Sequence, residues 1–453
     1  MERKEGMFQT IISTISSFMY SKLLVIILIG AGVYFTVRTR FPQVRLFKRA
    51  CESVMEKPED KKAISSFQAL MVSTASRVGT GNIVGVSSAI CIGGFGSVFW
   101  MWVIAIIGSA SALIESTLAQ IYKKKGEDGS CYGGPAYYIE AALHCRPLAI
   151  VFCIAMILTY AFGFNMLASY NLQSTFSVFS FYEAKISPWI IGGILAVLTG
   201  WCLLGGGSRI VKVTSMVVPV MGIAYIGISL LVVIINIQNV PAMFVRIFEE
   251  AFDFKAIFGA FAGSAMMQGI RRGLYSNEAG IGSAPNASAS ANVSHPVKQG
   301  LIQALGVFID TLVICSCSAF LMLLAPAEKI EGLMGMDLLQ AAMNHHLGYA
   351  GVVFIAVVLF LFSFSTFLGI LYYARCNVSY VFGDTWKAQT GYKIFLLIML
   401  FIGGVAAYEF VWELGDLGVG LMTVFNMIAI VPLSGQAINA LKDYETNYKK
   451  KKA

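Results

Sequence analysis

The chain has 453 residues, of which 57% are hydrophobic and only 13% are charged. Soluble globular proteins carry about 25% charged residues, so this composition argues against a soluble enzyme and indicates a chain that lipid must cover. The formal net charge of +8 does not point to a nucleic-acid partner, because the basic residues are concentrated in alternate connections between apolar segments.

About eleven apolar runs are long enough to cross a bilayer, which takes roughly 20 helical residues at about 1.5 Å each. They centre on residues 21–39, 65–92, 97–122, 149–180, 188–204, 213–237, 256–285, 300–325, 348–374, 391–410 and 415–437. The sequence therefore predicts an all-α integral membrane protein with about eleven transmembrane helices. The first run follows a charged opening and lacks a small-residue cleavage site, so we expect a retained helix rather than a signal peptide.

The basic residues also predict the orientation. Most Lys and Arg lie in the connection 38–64, in alternate connections after it and in the tail 438–453. By the positive-inside rule these segments are cytoplasmic and the N-terminus is outside. We expect a multi-pass protein of the plasma or inner cell membrane.

The second run contains the sequence VGTGN, in which Gly79 and Gly81 flank Thr80. Glycines here either allow close helix packing or mark a point where the helix unwinds. An unwound helix presents N–H groups at one end and carbonyls at the other, which suit a carboxylate and a cation. On this interpretation the candidate substrate-binding residues are Ser76, Thr80, Gly81 and Asn82, and the carbonyls of Ala75 and Val78 are candidate ligands for a cation.

The third and fourth runs contain buried polar residues. Glu115, in the third run, is expected to form an interhelical hydrogen bond rather than to couple an ion. Asn165 and Ser169, in the fourth run, are further candidate substrate-binding residues because they bring hydrogen-bonding groups into the bilayer.

The seventh run is interrupted by glycines at positions 269, 273, 280 and 282, with Arg271, Arg272 and Glu278 between them. A glycine inside a helix costs roughly 1 kcal/mol, and a charge at membrane depth costs roughly 2.5 to 3.5 kcal/mol. The run therefore predicts a second broken helix that lines a polar cavity. Met267, Gln268, Gly269 and Gly273 are the candidate substrate-binding residues at this break.

Each broken run opens a block of five runs, and an odd number of crossings inverts one block relative to the other. Paired broken helices in inverted repeats indicate the binding site of a secondary transporter near the bilayer midplane. The expected organisation is an N-terminal helix and basic connection (1–64), a first repeat (65–237), a second, inverted repeat (256–437) and a basic cytoplasmic tail (438–453).

Two later runs carry isolated polar groups. Asp310, in the eighth run, must be paired, protonated or in contact with water, because an unpaired carboxylate in the membrane is costly. Arg77, Arg271 and Arg272 are the candidate partners, and a structural pair is favoured over a proton relay. The hydroxyls of Ser365 and Thr366 lie in the otherwise apolar ninth run. Such hydroxyls often bond a carbonyl of their own helix, and they are also suitable ligands for a small hard cation.

Three blocks resemble the signature of the alanine/glycine:cation symporters: RRGLYSNEAGIGSAP (271–285), HPVKQG (295–300) and GVFIDTLVIC (306–315). The resemblance implies a leucine-transporter-type fold of five plus five helices after one additional helix. It also implies that Ser365 and Thr366 form part of a sodium site, to which the carbonyls of Ala75 and Val78 are expected to contribute. The chain departs from the family pattern at Ala168 and Tyr170, and again at Ala374 and Arg375, which leaves the exact substrate open.

The expected function is a sodium-coupled symporter that imports a small neutral amino acid of the alanine/glycine class by alternating access. The expected partners are that amino acid, the sodium ion and the lipid bilayer, with no further cofactor. Proton coupling, and serine, glutamine or a D-amino acid as substrate, remain alternatives. A channel is less favoured because no filter loop repeats, and an enzyme is not expected because no nucleophile-base pair or metal cluster is evident. The oligomeric state stays open.

Overall fold

The structure is a computed structural model that describes residues 14–58, 63–125, 131–253, 264–406 and 408–452. These residues are almost entirely helical. The strands among them are β1 (Lys124–Lys125) and β2 (Cys131–Tyr132), which pair antiparallel in a short hairpin.

The helices of the first half include one interrupted transmembrane element. A π-helical turn (Met19–Leu23) leads into the first helix, and a 3-10 turn (Thr80–Asn82) separates α4 from α5. The helices are α1 (Leu24–Arg38), α2 (Pro42–Arg45), α3 (Phe47–Val54), α4 (Ser66–Arg77), α5 (Val84–Gly93), α6 (Gly96–Ile121), α7 (Pro135–Leu143), α8 (Arg146–Leu158), α9 (Asn165–Thr175), α10 (Ser187–Leu204), α11 (Gly206–Ile235) and α12 (Val240–Ala251). A π-helical segment (Thr159–Phe164) joins α8 to α9.

The second half follows a related order. A π-helical segment (Phe308–Cys315) joins α15 to α16, so these form one long rod. The helices are α13 (Ala265–Asn277), α14 (Ala284–Ser290), α15 (Pro296–Val307), α16 (Ser316–Leu323), α17 (Ala327–Ile330), α18 (Gly335–Leu347), α19 (Tyr349–Phe382), α20 (Trp386–Gly403) and α21 (Tyr408–Lys452).

Seven helical rods among the described residues are long and apolar enough to cross a membrane. They are α6, α8 with α9, α10, α11, α15 with α16, α19 and most of α21. The other four predicted runs correspond to α1, to the divided helices α4/α5 and α13/α14, and to α20. A multi-pass membrane protein is therefore confirmed, whereas the count of eleven spans and the inverted-repeat layout remain predictions.

The first predicted break is present at VGTGN. Helix α4 starts at a capping box, in which the Ser65 hydroxyl accepts from the N–H of Gln68, and it ends at Arg77. Val78 and Gly79 are extended. Helix α5 starts only after the following 3-10 turn. The C-terminal end of α4 and the N-terminal end of α5 therefore both lie at this break, inside the protein.

The second break lies later in the chain than the sequence indicated. Residues 265–277 form one continuous helix, and the chain leaves it at Glu278, whose φ of 54° is left-handed. Gly280 and Gly282 continue the break with φ of +83° and +86°, a conformation that favours glycine. The predicted break around positions 269 and 273 is therefore wrong, and the opening part of that run, 256–263, lies outside the described residues.

The glycines at 269 and 273 serve helix packing instead. A Cβ on Gly269 would collide with the Ser97 carbonyl oxygen, and a Cβ on Gly273 would lie 2.5 Å from Ile104. Both residues therefore let α13 approach α6 closely, and α6 also packs along α15.

Helix α4 contacts α19 and α11. The approach of α4 to α19 is close because a Cβ on Gly369 would collide with the backbone N of Ser76. The first break is consequently held against the helix that carries Ser365 and Thr366.

Candidate functional site

A small cavity lies at the first break, in the centre of the helix bundle. Its volume is about 10 Å³, which is room for about one water molecule. It is lined by Ser76, Arg77, Gly79, Thr80, Gly81, Phe164, Ala168, Tyr275 and Thr366. We call it the central cavity.

Aromatic rings close one side of the central cavity. The Tyr275 ring stacks on Phe164 with centroids 4.5 Å apart and tilts against Trp412 at 5.1 Å. A Cβ on Gly81 would lie 3.1 Å from the Tyr275 ring. The ring therefore lies directly over the break, next to the N-terminal end of the second half-helix.

The backbone of the first break has left the helical hydrogen-bond pattern. The N–H of Gly79 donates to Oδ1 of Asn82 at 2.8 Å, and the N–H of Asn82 donates to the carbonyl of Gly79 at 3.2 Å. In a continuous helix these two N–H groups would bond the carbonyls of Ala75 and Val78. Those two carbonyls have thus lost their usual helical donors.

The ninth predicted run places one of its two hydroxyls, that of Thr366, beside this break, whereas the Ser365 hydroxyl lies against Met221 Sδ at 3.4 Å. Thr366 lines the central cavity, and a Cβ on Gly79 would collide with Thr366 Oγ1. Thr366 Oγ1 and Ser365 Oγ donate to the carbonyl of Phe362 at 2.8 and 3.0 Å. Bonding within the helix, one of the two sequence interpretations, is therefore present, but it uses the hydroxyl protons and leaves oxygen lone pairs available.

Asp310 is hydrogen-bonded rather than ion-paired. It accepts from Asn82 Nδ2 at 2.6 Å, from Ser276 Oγ at 2.7 Å and from Thr311 Oγ1 at 2.8 Å. Within the described ranges no salt bridge reaches Asp310, so the predicted pairing with an arginine is wrong. Neutral donors instead satisfy this buried carboxylate.

The predicted arginine partners bond elsewhere. Arg77 Nη1 donates to the Gln303 carbonyl at 3.4 Å. Arg271 and Arg272 both form ion pairs with Asp416 on α21. The carboxylate of Asp416 therefore partly neutralises the positive charge of the two consecutive arginines.

Two glutamates hold the second break in place. Glu278 accepts from Ser76 at 2.9 Å and from Ser283 at 2.7 Å, which joins the two broken helices. Glu115 accepts from the N–H groups of Gly280 and Gly282 at 3.2 and 3.1 Å. The interhelical hydrogen bonding expected for Glu115 is thus present.

Asn165 and Ser169 are directed away from the central cavity. Asn165 Nδ2 donates to the Leu396 carbonyl at 2.8 Å, and Ser169 Oγ donates to the Leu400 carbonyl at 2.7 Å. Both bonds attach α9 to α20, so their predicted contact with substrate is not supported. Ala168, between them, lines the central cavity.

The residues predicted from the wrong break do not line the central cavity either. Met267, Gln268, Gly269 and Gly273 are absent from its lining and lie within the continuous helix α13. The part of the second broken element that does reach the cavity is Tyr275, near the C-terminal end of α13.

A second, much larger cavity lies beyond Tyr275 and Trp412. We call it the vestibule; its volume is about 700 Å³. Its lining comprises Val84, Ser88, Ile92, Tyr170, Asn171, Gln173, Ser174, Ser177, Tyr182, Arg271, Arg272, Met334, Gly335, Met336, Asp337, Trp412, Glu413 and Asp416. Tyr170, one of the departures from the family pattern, therefore lines the vestibule rather than the central cavity.

Sequence reasoning missed Tyr275, Trp412 and Asp416. Aromatic residues are common in membrane helices, so neither ring carried a signal of its own. Asp416 did carry one, because an acid in the last apolar run required a basic partner and two arginines of the seventh run were available.

Comparisons with known proteins agree on one family. The sodium:alanine symporter family matches residues 5–453. The amino-acid carrier protein AlsT of Bacillus subtilis is 44% identical over 97% of this chain and 93% of its own length. A protein of the same organism with the printed name "Probable sodium/glutamine symporter GlnT" is 42% identical over 97% of this chain and 91% of its own.

A further relative and a solved structure extend the comparison. The sodium/alanine symporter AgcS of Methanococcus maripaludis is 34% identical over 96% of this chain and 97% of its own length. The crystal structure of MhsT in complex with L-phenylalanine superposes with a TM-score of 0.59 at 12% identity, over 83% of this chain and 98% of that one. This likeness supports a leucine-transporter-type fold.

Proposed function

Since the chain belongs to the sodium:alanine symporter family, and is thus a transporter and not an enzyme, we propose that it imports a small neutral amino acid together with sodium. Alternating access moves both across the cell membrane. The observation that carries this proposal is the first break: Thr80, Gly81 and Thr366 line one buried cavity there. The carbonyls of Ala75 and Val78, in the same stretch of chain, have lost their usual helical donors.

The sodium ion binds between α4 and α19 in this proposal. Its ligands are the carbonyls of Ala75 and Val78 and the hydroxyls of Ser365 and Thr366. The support is that the usual helical donors of the two carbonyls bond elsewhere, and that Thr366 touches the break. Several oxygen dipoles and the C-terminal end of a half-helix can replace much of the hydration of a monovalent ion.

The amino acid binds at the other end of the same break. Its carboxylate accepts from the N–H groups of Thr80 and Gly81, where the dipole of the following half-helix is positive. Its ammonium group faces carbonyls at the C-terminal end of α13, next to Tyr275. The sequence had suggested residues 267–269 as the substrate contacts of this element. Their carbonyls lie inside a continuous helix, so we place the ammonium group at the end of that helix instead.

The central cavity favours a small side chain. Phe164 and Tyr275 enclose it, so a larger amino acid requires a larger displacement of the two stacked rings. A pocket discriminates against one extra methylene by a free-energy difference of only about 1 to 3 kcal/mol. Alanine and glycine are therefore the preferred substrates, and larger amino acids are not strictly excluded. Glutamine is the second candidate, because a relative 42% identical to this chain is named as a sodium/glutamine symporter.

The proposal is tested with purified protein in liposomes. An inward sodium gradient should drive saturable uptake of alanine and glycine, in preference to serine, glutamine and leucine, with both enantiomers compared. Better uptake of glutamine or leucine than of alanine would contradict the substrate assignment. Uptake that follows a proton gradient and ignores sodium would contradict the ion assignment.

The site is tested separately by Gly81→Leu. The new side chain would meet the Tyr275 ring, since even a Cβ would lie 3.1 Å from it, and we expect loss of alanine uptake and of high-affinity alanine binding. Gly222→Leu is the matched control, because a Cβ on this glycine of α11 meets no atom within 4 Å. Normal alanine binding by Gly81→Leu would exclude the proposed carboxylate site.

A further inference from the structure

Two arginines meet where the chain turns from α10 into α11. Three consecutive glycines, residues 205–207, form this connection, and we call it the glycine turn. A Cβ on Gly205 would collide with Nε of Arg209, and a Cβ on Gly207 would lie 2.7 Å from Nη1 of Arg375, a residue of α19. Both guanidinium groups therefore lie against the same short turn, which has no side chains of its own.

Both arginines keep N–H groups that no protein acceptor uses. Within the described ranges Arg375 has no hydrogen bond and no ion pair; its side chain is partly exposed, and none of its nitrogen atoms is buried without a partner. Arg209 Nη1 donates to the Trp201 carbonyl at 2.7 Å, and the guanidinium group lies 4.8 Å from the centroid of the Trp201 ring. Nε and Nη2 of Arg209 stay available to a ligand.

The helices around the glycine turn carry positive charge without any negative charge. Helices α10, α11, α19 and α20 contain neither Asp nor Glu. Their charged residues, all at the end of the bundle where the glycine turn lies, are Arg209, Lys212, Arg375, Lys387 and Lys393. The N-terminus of α11 adds partial positive charge, since no side chain caps it and no acid lies in its first turn. Charges of one sign repel each other, so a bound anion would stabilise this end of the bundle.

The surface beside the glycine turn is apolar and faces outward. Trp201 is 55% exposed and Leu204 is 81% exposed, at the end of the membrane-spanning helix α10. Tryptophan is enriched where a bilayer meets water, which places the glycine turn at the depth of lipid head groups. The positive-inside rule predicts that this end of the bundle is cytoplasmic, and the cytoplasmic leaflet contains anionic lipids that basic residues attract.

We propose that the glycine turn and its two guanidinium groups bind the phosphate of an anionic phospholipid in the cytoplasmic leaflet. The phosphate oxygens accept from Arg209 and Arg375, because the N–H groups of a guanidinium match the geometry of a phosphate. The acyl chains lie along the exposed face of α10 at Trp201 and Leu204. A bound lipid thus joins the start of α11 to α19, the helix that carries Thr366, without entering the central cavity.

The experiment measures lipid binding to the delipidated full-length protein in detergent. Native mass spectrometry follows a titration with dioleoylphosphatidylglycerol and, separately, with dioleoylphosphatidylcholine, which has the same acyl chains and no net charge. We expect the first phosphatidylglycerol molecule to bind at least tenfold more tightly than the first phosphatidylcholine molecule. Glycerol 3-phosphate, added at the concentration of the lipid, should not displace phosphatidylglycerol, because it lacks the acyl chains.

The two arginines are tested by Arg375→Gln and Arg209→Gln, and the second variant serves if the first does not fold. Each basic residue near anionic lipid typically contributes about fivefold in affinity, so each variant should bind phosphatidylglycerol about fivefold more weakly, with phosphatidylcholine binding unchanged. Arg38→Gln is the matched control. Arg38 is an exposed arginine at the end of α1 whose guanidinium lies over the Tyr34 ring at 5.8 Å, so the substitution removes the same charge elsewhere and should leave the affinity unchanged.

Four results would overturn the inference. Equal affinity for the two lipids would show that the site does not recognise the anionic head group, and unchanged phosphatidylglycerol binding in the two arginine variants would show that it lies elsewhere. An equal loss in Arg38→Gln would indicate diffuse attraction to the basic side of the protein. Displacement by glycerol 3-phosphate would assign the site to a soluble anion. Since no transport is measured, these results are independent of the proposed function, which fails if sodium drives no alanine uptake.

Discussion

Thr366 connects the hydroxyls of α19 with the first break. Its Oγ1 donates to the Phe362 carbonyl, lies against Gly79 and lines the central cavity. A hydroxyl that donates within its own helix can still act as a cation ligand through its lone pairs. Helix bonding and sodium binding are therefore compatible at this residue, although they were alternatives at the level of sequence.

Replacement of this hydroxyl should affect sodium more than the amino acid. Thr366→Val keeps the β-branched shape and removes one proposed ligand, so we expect the sodium concentration for half-maximal alanine uptake to rise by about tenfold or more. The control is Thr423→Val on α21, where the hydroxyl is also buried and bonds a carbonyl of its own helix, that of Val419. An unchanged sodium requirement in both Thr366→Val and Ser365→Ala would exclude this site.

A site residue could be predicted from the sequence when its chemical type differed from that of its neighbours in the chain. Ser365 and Thr366 are distinct as hydroxyls in an apolar helix, and Thr80 is distinct between two glycines. Tyr275 has no such contrast in its own segment. Its role depends on the stacking with Phe164, a residue more than one hundred positions away, which no local pattern contains.

The two broken helices differ in how closely the sequence located them. At VGTGN the glycines and the break coincide. In the second element four glycines compete, and only tertiary contacts distinguish them: positions 269 and 273 face α6, whereas positions 280 and 282 take positive φ. A glycine that permits close packing and one that permits a turn look the same in a sequence.

The second break depends on an acceptor from another helix. Glu115 of α6 binds the N–H groups of Gly280 and Gly282 and accepts from Asn426 Nδ2. Glu115→Ala leaves these buried donors unsatisfied, at about 1 to 3 kcal/mol for each group. We expect a clear fall in the melting temperature of the detergent-solubilised protein. The melting temperature is measured by size-exclusion chromatography of samples heated to a series of temperatures.

Glu183→Ala is the control for this prediction, because Glu183 is exposed in the connection before α10. Its melting temperature should stay close to that of the unmodified protein. If Glu115→Ala melted at the same temperature as Glu183→Ala, the carboxylate would not be needed to hold the break.

At the scale of the whole molecule, the vestibule and a group of ion pairs lie on opposite sides of the central cavity. The ion pairs join Arg45 to Glu445 at 2.8 Å and Lys298 to Glu56 at 2.5 Å, near the C-terminal part of α21 and the start of α15. Partly exposed pairs of this kind contribute little stability each. They can therefore separate when the transporter opens on that side.

The positive-inside rule predicts that the ion-paired side faces the cytoplasm. Cys91 is also exposed, so the test is made in a Cys91→Ser background. Cys51, exposed on α3, should then react with a membrane-impermeant thiol reagent only after the cells are permeabilised. Lys329→Cys, at an exposed position of α17 on the vestibule side, should react in intact cells when it is introduced together with Cys51→Ser. The opposite labelling pattern would show that the orientation is reversed.

The last prediction concerns the coupling between the ion and the amino acid. The proposed sodium ligands at Ala75 and Val78 and the proposed carboxylate donors at Thr80 and Gly81 belong to one short break. An ion that fixes this break also fixes the N–H groups, so sodium should tighten alanine binding. Coupling between two sites is reciprocal, and typical coupling energies of about 1 to 3 kcal/mol correspond to roughly 5- to 150-fold in affinity.

The measurement compares four dissociation constants: those of alanine with and without saturating sodium, and those of sodium with and without saturating alanine. The two ratios should agree, because binding linkage is a thermodynamic requirement. Thr366→Val removes one proposed sodium ligand at the first break, so it should reduce both ratios equally. The affinity for alanine without sodium should stay near that of the unmodified protein. Equal alanine affinity in sodium and in potassium would mean that the ion does not order the break, and the sodium site would then have to be sought at the buried carboxylates Asp310 or Glu278.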